Sequence, residues 1–278
     1  MPHGRIHFSK QSSSWDKKKV RPQWWRKLLA ESFGTFVLVF AGTGAIIIND
    51  QSVGTVSHVG IALTFGLIVL SMIYSLGEVS GCHINPAVTL GFFVARRFKG
   101  KLVLPYIVSQ FAGATLASLT LHWMFPTNIN LGATMPVGNV FQSFVLELIL
   151  AMILMFVILS VSSGSKETGM LAGVVIGSVV ALEAMFAGPI SGASMNPARS
   201  FGPALVSGRL QHLWIYMLAP SVGALVGALA CRAIHGQECC GQYLMDDNSQ
   251  YLTNQKTAPF GVVDQEPISS LQGGNHDT

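Results

Sequence analysis

Residues 80–89 read SGCHINPAVT and residues 191–200 read SGASMNPARS, so one sequence frame occurs twice without a gap. Each copy contains the tripeptide Asn-Pro-Ala, first as Asn85-Pro86-Ala87 and then as Asn196-Pro197-Ala198. Asparagine is a preferred N-cap, proline is tolerated at the first helical position, and alanine extends a helix. The repeat therefore predicts two short helices, each with an amide side chain at its positive end.

The composition indicates that these helices lie in a membrane. Half of the 278 residues are hydrophobic, 11% are charged, and the mean hydropathy is +0.49. Six segments are long enough to cross about 30 Å of hydrocarbon, which takes about 20 residues each. They are residues 28–48, 59–76, 102–125, 140–161, 170–186 and 213–231. We therefore expect an all-α membrane protein with six transmembrane helices.

The repeat also predicts how the spans are arranged. Each half contains three spans, an Asn-Pro-Ala segment and an early glutamate, Glu31 or Glu147. Because three is an odd number, the second copy enters the membrane from the opposite side. The apolar stretch after each motif is too short to cross, so each forms a re-entrant half-helix whose N-terminus lies near the midplane. The expected fold is an inverted repeat, with halves at about 28–125 and 140–231 of a membrane domain at 28–231.

Charged residues outside the spans predict the topology. Lysines and arginines cluster before the first span and again at Arg96, Arg97, Lys99 and Lys101, so both regions are expected in the cytosol. This places both termini in the cytosol, with the plasma membrane as the default location. A basic segment at 1–27 and a flexible polar tail at 232–278 then flank the membrane domain. The pI near 8.9 reflects this pattern, so the lipid bilayer rather than nucleic acid is the expected partner.

Two helix N-termini that meet at one point give that point a distinct chemistry. Each contributes a partial positive charge, and Asn85 and Asn196 add amide donors. Such a point repels cations and protons and favours a neutral molecule with an oxygen acceptor. Irregular backbone at this depth is tolerated where it lines a wet cavity. The alternative interpretation is that the prolines only begin re-entrant loops that fill space.

Several other polar residues of the apolar segments have two interpretations each. Arg199 either faces an aqueous pathway, where it narrows one mouth and repels cations, or pairs with Glu183 or with loop carbonyls. Glu31 and Glu147 either relay protons or accept hydrogen bonds from the re-entrant loops, and we favour the second role. His83 either gates one half of the pathway by titration or forms a static wall, and we favour the wall.

The motifs resemble those of the aquaporin or major intrinsic protein family. The resemblance rests on both Asn-Pro-Ala segments and on Ala30-Glu31, followed by Gly34-Thr35, at the entry to the first span. It extends over about residues 24–234. It implies a homotetramer with one pore per subunit, passive flow in both directions, and exclusion of protons.

The resemblance also assigns the four positions of the family's selectivity filter, which fall on Phe65, Ala184, Ala193 and Arg199. Water-selective members usually carry histidine where this chain has Ala184, which implies a wider filter that passes glycerol and urea as well as water. Against this, Ser200 replaces the aspartate of glycerol channels, and Tyr216 is typical of water channels. The mixture is similar to the insect entomoglyceroporins, which we prefer, and to plant nodulin-like intrinsic proteins. A water-selective aquaporin without solute permeability is the alternative.

Other classes of protein fit the sequence less well. No span carries a nucleophile with a base, or a cluster with metal-ligand spacing, so we expect no enzyme, no metal and no cofactor. A secondary transporter would share the inverted repeat but would need a coupling-ion site. The four cysteines predict no disulfide framework, because the termini face a reducing compartment. Cys231, Cys239 and Cys240 are expected to be either free thiols or acylation sites.

Overall fold

The fold is all-helical over residues 23–163 and 166–239, which are the residues that this computed structural model describes. Within them the chain forms nine α-helices, one short 3-10 helix and no strand. The α-helices are α1 (Trp24–Gln51), α2 (Ser57–Ser80), α3 (Pro86–Val94), α4 (Gly100–Met124), α5 (Val140–Ser163), α6 (Lys166–Met170), α7 (Ala172–Ser191), α8 (Pro197–Ser207) and α9 (Leu213–His235). Most of the basic segment predicted at 1–27 and of the tail predicted at 232–278 lies outside the described residues.

Six of the helices are long and apolar enough to cross a membrane, which confirms the six predicted spans. They are α1, α2, α4, α5, α7 and α9, with 20 to 28 residues each. The fifth span was predicted too short at its C-terminal end, because α7 continues past 186 to Ser191. Pro189 lies inside this extension, and proline usually ends a helix. Here α7 continues past the proline to Ser191.

The helices pack as two related halves. In the first half α1 contacts α2 and α4, and in the second half α5 contacts α7 and α9. The short helices α3 and α8, with 9 and 11 residues, are about half the length of a span. Each packs against the last long helix of the other half, α3 against α9 and α8 against α4. This exchange brings the two repeated motifs to the centre of the molecule.

Glycines allow the long helices to approach until their backbones touch. A methyl group added to Gly113 would lie 2.0 Å from the carbonyl oxygen of Ser32, and one added to Gly223 would lie 2.1 Å from that of Leu148. These positions join α4 to α1 and α9 to α5. Close approach of this kind is the usual basis of helix packing in lipid, where dispersion contacts replace the hydrophobic effect.

One cysteine pair corrects the sequence prediction. Cys231 and Cys239 form a disulfide, with 6.1 Å between their Cα atoms, so the expectation that the cysteines make no disulfide is wrong for this pair. Gly236 has φ +65°, and the 3-10 helix Gly236–Cys239 begins at this residue and brings Cys239 back to the end of α9. The redox compartment alone does not predict this pairing, because the pairing depends on the turn at Gly236. Cys82 is a buried free thiol, and Cys240 lies outside the described residues.

Candidate conducting pathway

The two short helices begin at the repeated motifs. Pro86 is the first residue of α3 and Pro197 the first of α8, each followed by a buried alanine, Ala87 or Ala198. Asn85 is the N-cap of α3, and its Oδ1 accepts a hydrogen bond from the N–H of Ala87 at 2.8 Å. The Oδ1 of Asn196 accepts from the N–H groups of Ala198 and Arg199 at 3.0 and 3.3 Å. Both motifs therefore fold as local helix caps.

The amides of the two caps also join the halves of the molecule. Asn85 Nδ2 donates to the carbonyl oxygen of Met195, and Asn196 Nδ2 donates to that of Ile84, each at 2.9 Å. The two helix N-termini consequently meet at one point. Each Nδ2 has a second N–H that makes no hydrogen bond within the described part of the chain, and both asparagines line the central cavity. Two amide donors are thus available to a molecule in that cavity.

The carboxylates of Glu31 and Glu147 hold the loops that lead into these helices. Glu31 accepts hydrogen bonds from the N–H groups of His83 and Ile84, at 2.9 and 2.7 Å, and from Ser80 Oγ and Gln110 Nε2. Glu147 accepts in the same way from Ser194 N and Met195 N, both at 2.8 Å, and from Ser191 Oγ at 2.7 Å. Both side chains are fully buried. These contacts favour loop support over a proton relay.

The supported loops need that support because their backbone is strained. Cys82, Ile84, Ala193 and Met195 all have positive φ, between 40° and 55°. Residues with side chains rarely adopt this region, and each such residue costs about 1–3 kcal/mol. Positive φ turns successive N–H groups of each loop towards its glutamate. The loop carbonyls of Ile84 and Met195 then accept from the asparagine of the opposite half.

A single cavity brings the remaining predicted residues together. It is lined by residues of both halves, and among them are Phe65, Cys82, His83, Asn85, Ala184, Ala193, Asn196 and Arg199. The four positions assigned to the filter come from four different segments, namely α2, α7, the loop between α7 and α8, and α8. Phe65 and Arg199 are close neighbours, with the guanidinium carbon 5.0 Å from the centre of the ring. Ala184 and Ala193 also line this wall, and the side chain of each is a single methyl group.

Arg199 is held by a loop carbonyl. Its Nη1 donates to the carbonyl oxygen of Gly132 at 2.9 Å, and the residue lines the cavity. Pairing with Glu183, one of the two alternatives, is wrong, because neither carboxylate oxygen of Glu183 has a hydrogen-bond partner within the described residues. The remaining N–H groups of the guanidinium make no hydrogen bond to that part of the chain. They are available as donors on the cavity side.

The comparisons with known proteins agree with this architecture. The family model described as Major intrinsic protein matches residues 18–231. The chain belongs to the major intrinsic protein family. It is 46% identical to Aquaporin NIP1-1 of Zea mays over 210 residues, which cover 75% of this chain and 74% of that protein. It is 44% identical to Nodulin-26 of Glycine max over 204 residues, which cover 73% of this chain and 75% of that protein.

A solved structure gives the same fold. The X-ray structure of the aquaglyceroporin from Plasmodium falciparum matches with a TM-score of 0.71 and 26% sequence identity, and covers 78% of this chain and 99% of that one. The six long helices and the half-helices α3 and α8 therefore form the aquaporin fold, as predicted. Major intrinsic proteins are channels rather than enzymes, so this chain is a multi-pass membrane channel.

Some residues of the filter region could not be found from the sequence. Gly132 and Thr134 lie in the loop between α4 and α5, where no motif marks them. Thr134 Oγ1 donates to Ser200 Oγ at 2.7 Å, and Ser200 Oγ lies 2.5 Å from Ser194 Oγ. These three hydroxyl groups connect that loop to the loop before α8. Partners separated by 66 residues along the chain leave no local sequence signal.

The two markers typical of water channels lie behind the cavity wall. Ser200 is fully buried, and its hydroxyl is used by Thr134 and Ser194. Tyr216 is also fully buried, and its hydroxyl donates to the carbonyl oxygen of Ser191 at 2.6 Å. Neither residue lines the cavity. Both therefore act on the loop before α8 rather than on the width of the channel.

His83 is held on the cavity wall by a ring of neighbours. Its Nδ1 lies 3.1 Å from Thr89 Oγ1, and its ring stacks on Phe92 with 4.7 Å between the centroids. Phe98 and Tyr106 contact the same ring at 4.7 and 5.2 Å. A side chain held by one polar and three aromatic contacts has little freedom to swing. This packing favours the static wall over the gate.

Glu183 gives a stability prediction. A buried polar group without a partner costs about 1–3 kcal/mol, and replacing it with an apolar residue of similar shape removes that cost. Glu183 is fully buried, and both of its carboxylate oxygens lack a partner among the described residues. We expect Glu183→Leu to raise the midpoint of thermal unfolding in detergent, whereas Glu183→Gln, which keeps a polar group, does not. A lower midpoint for the leucine variant would show that the carboxyl group stabilises the fold.

Proposed function

We propose that this channel conducts water and small uncharged solutes, including glycerol and urea, and excludes protons and ions. The observation that carries the proposal is the pair of small side chains, Ala184 and Ala193, at two of the four filter positions on the cavity wall. The methyl group of Ala184 leaves the space that the imidazole of water-selective members would occupy. The width of the filter, rather than the polarity of its flanks, then sets the upper limit on solute size.

The chemistry of the wall suits a molecule such as glycerol. Phe65 offers an apolar face to the carbon backbone of the solute, and Arg199 offers N–H donors to its hydroxyl oxygens. Further along the cavity, the free N–H groups of Asn85 and Asn196 serve as the next donors. A neutral molecule with several oxygen acceptors exchanges its water contacts for these. The neighbour named an aquaglyceroporin supports this solute class by its fold.

The same groups oppose the passage of cations and protons. The N-termini of α3 and α8 meet at the two asparagines and place two partial positive charges there. Arg199 adds a full positive charge at the filter. The only hydrogen-bonding groups that the asparagines present to the cavity are donors, so a water molecule between them is oriented with its oxygen towards both. Such orientation breaks the chain of hydrogen bonds along which a proton would pass.

We further propose that the protein acts in the plasma membrane as a homotetramer with both termini in the cytosol. Large apolar side chains face outwards on the long helices, among them Leu67 of α2, Leu104 of α4 and Leu182 of α7. Lipid tails or neighbouring subunits cover such residues in a membrane protein. The basic residues near the start of α1 and between α3 and α4 agree with a cytosolic location of those segments.

Reconstitution in liposomes tests the proposed function. Stopped-flow light scattering records shrinkage in an impermeant osmolyte and then re-swelling in glycerol or urea, with protein-free liposomes as the control. Fast shrinkage followed by fast re-swelling is the expected result. Fast shrinkage with re-swelling at the rate of bare lipid would show a water-selective aquaporin. A trapped pH dye in the same liposomes should report no proton flux above that of lipid.

A further inference from the structure

The filter segment of α7 contains a carbonyl group that its own helix does not satisfy. Pro189 lies inside α7 and has no N–H, so the carbonyl oxygen of Met185, four residues earlier, loses its helical partner. Met185 directly follows Ala184 of the filter. A backbone carbonyl left without a partner beside the filter would allow this turn of the helix to shift.

His58, at the start of α2, supplies the missing donor. Its Nε2 lies 2.6 Å from the carbonyl oxygen of Met185. Because a carbonyl oxygen only accepts, Nε2 carries the hydrogen and donates. The ring also packs against Gly188, where an added methyl group would lie 2.7 Å from Cε1 of His58. The imidazole therefore occupies the space beside Gly188. It also donates to the carbonyl oxygen of Met185, which Pro189 leaves without its helical partner.

The helix pair that His58 joins carries two walls of the filter. Phe65 belongs to α2 and Ala184 to α7. In the middle of the pair the backbones touch, since a methyl group added to Gly66 would lie 2.5 Å from the carbonyl oxygen of Gly177. Near the opposite end of the pair, Tyr74 Oη of α2 donates at 2.8 Å to the carbonyl oxygen of Met170, which ends α6 two residues before α7 begins. The hydrogen bond of His58 thus joins the two helices at the end of the pair that carries Phe65 and Ala184.

We infer that His58 is a positioning residue that fixes Ala184 relative to Phe65 and thereby sets which solutes pass the filter. The inference rests on the proposed function. His58 does not line the cavity, so it acts through the backbone of α7 rather than on the solute. Without the hydrogen bond from His58, the turn of α7 that contains Ala184 and Met185 can move away from Phe65. Such a movement widens the filter. It raises the permeability of glycerol more than that of water, because glycerol is the wider molecule.

The test compares three variants in liposomes. His58→Ala removes the donor, and His58→Gln keeps an N–H donor at about the same distance from the backbone. Tyr74→Phe removes the hydrogen bond from α2 to Met170, which lies just before the other end of α7. We expect His58→Ala to raise the ratio of glycerol to water permeability about threefold, the order of magnitude of one lost hydrogen bond. The ratio should stay at the wild-type value in His58→Gln and in Tyr74→Phe.

Two results would overturn the inference. One is an unchanged ratio in His58→Ala that is monodisperse by size-exclusion chromatography. The other is an equal change in Tyr74→Phe, which would mean that the helix pair loosens as a whole. A wild-type protein that passes water alone would contradict the proposed function instead. In that case the inference stands if His58→Ala gains glycerol flux and falls if it does not.

Discussion

Glu147→Ala is expected to leave almost no folded channel. The side chain accepts three hydrogen bonds at 2.7–2.8 Å, two of them from the backbone N–H groups of Ser194 and Met195. Without the carboxylate, both N–H groups are buried without a partner, at about 1–3 kcal/mol each. The same loop contains Ala193 and Met195 at positive φ, which adds strain that nothing then offsets. The two N–H groups together then cost about 2–6 kcal/mol, which reaches the lower end of the stability of an ordinary protein domain, about 5–15 kcal/mol.

The measurement is the yield of monodisperse protein in detergent, together with its thermal midpoint. Glu78→Ala is the matched control, because Glu78 is an exposed glutamate of α2 and its removal should change neither quantity. Glu147→Gln keeps one acceptor oxygen and should give an intermediate yield. A well-folded Glu147→Ala protein with wild-type water permeability would show that the loop holds its shape without the carboxylate.

The role of Glu147 could be predicted from the sequence. A glutamate occurs at the same place in both halves, in an otherwise apolar span. Because an ionisable side chain is costly in such a span, the sequence alone marks this residue as one with a structural or functional role. Its donors could be expected as well, since a re-entrant loop contains unpaired N–H groups. The starts of α3 and α8 were predictable for a similar reason. Capping by Asn85 and Asn196 involves only residues two or three positions further along the chain.

The hydrogen bonds at the filter that the sequence did not reveal join distant parts of the chain. Gly132 reaches Arg199 across 67 residues, and His58 reaches Met185 across 127. Pro189 is one example. Proline usually ends a helix, so the sequence predicts a helix end near this residue, whereas α7 continues to Ser191. Only the fold shows that a histidine of another helix satisfies the carbonyl that this proline frees. The disulfide of Cys231 was missed because it depends on one turn at Gly236.

Ala184→His is expected to reduce glycerol permeability at least tenfold while water permeability stays within about twofold of the wild type. An imidazole on the wall of α7 enters the space that Phe65, Ala193 and Arg199 also border. Water still passes such an opening, whereas a three-carbon solute meets the ring. A tenfold effect corresponds to about 1.4 kcal/mol, and steric exclusion from a narrow filter readily exceeds this value. Shrinkage and re-swelling of liposomes measure both permeabilities on one preparation.

Ala184→Ser separates size from polarity. Serine adds a hydroxyl group but little volume, so it should keep glycerol permeability near the wild-type value.

Ser200→Asp tests the residue that is typical of water channels, which lies behind the wall with its hydroxyl bound by Thr134 and Ser194. Because Ser200 does not border the cavity, an aspartate there should change folding yield more than the ratio of glycerol to water permeability. Equal losses of water and glycerol in Ala184→His would place the size limit elsewhere in the cavity.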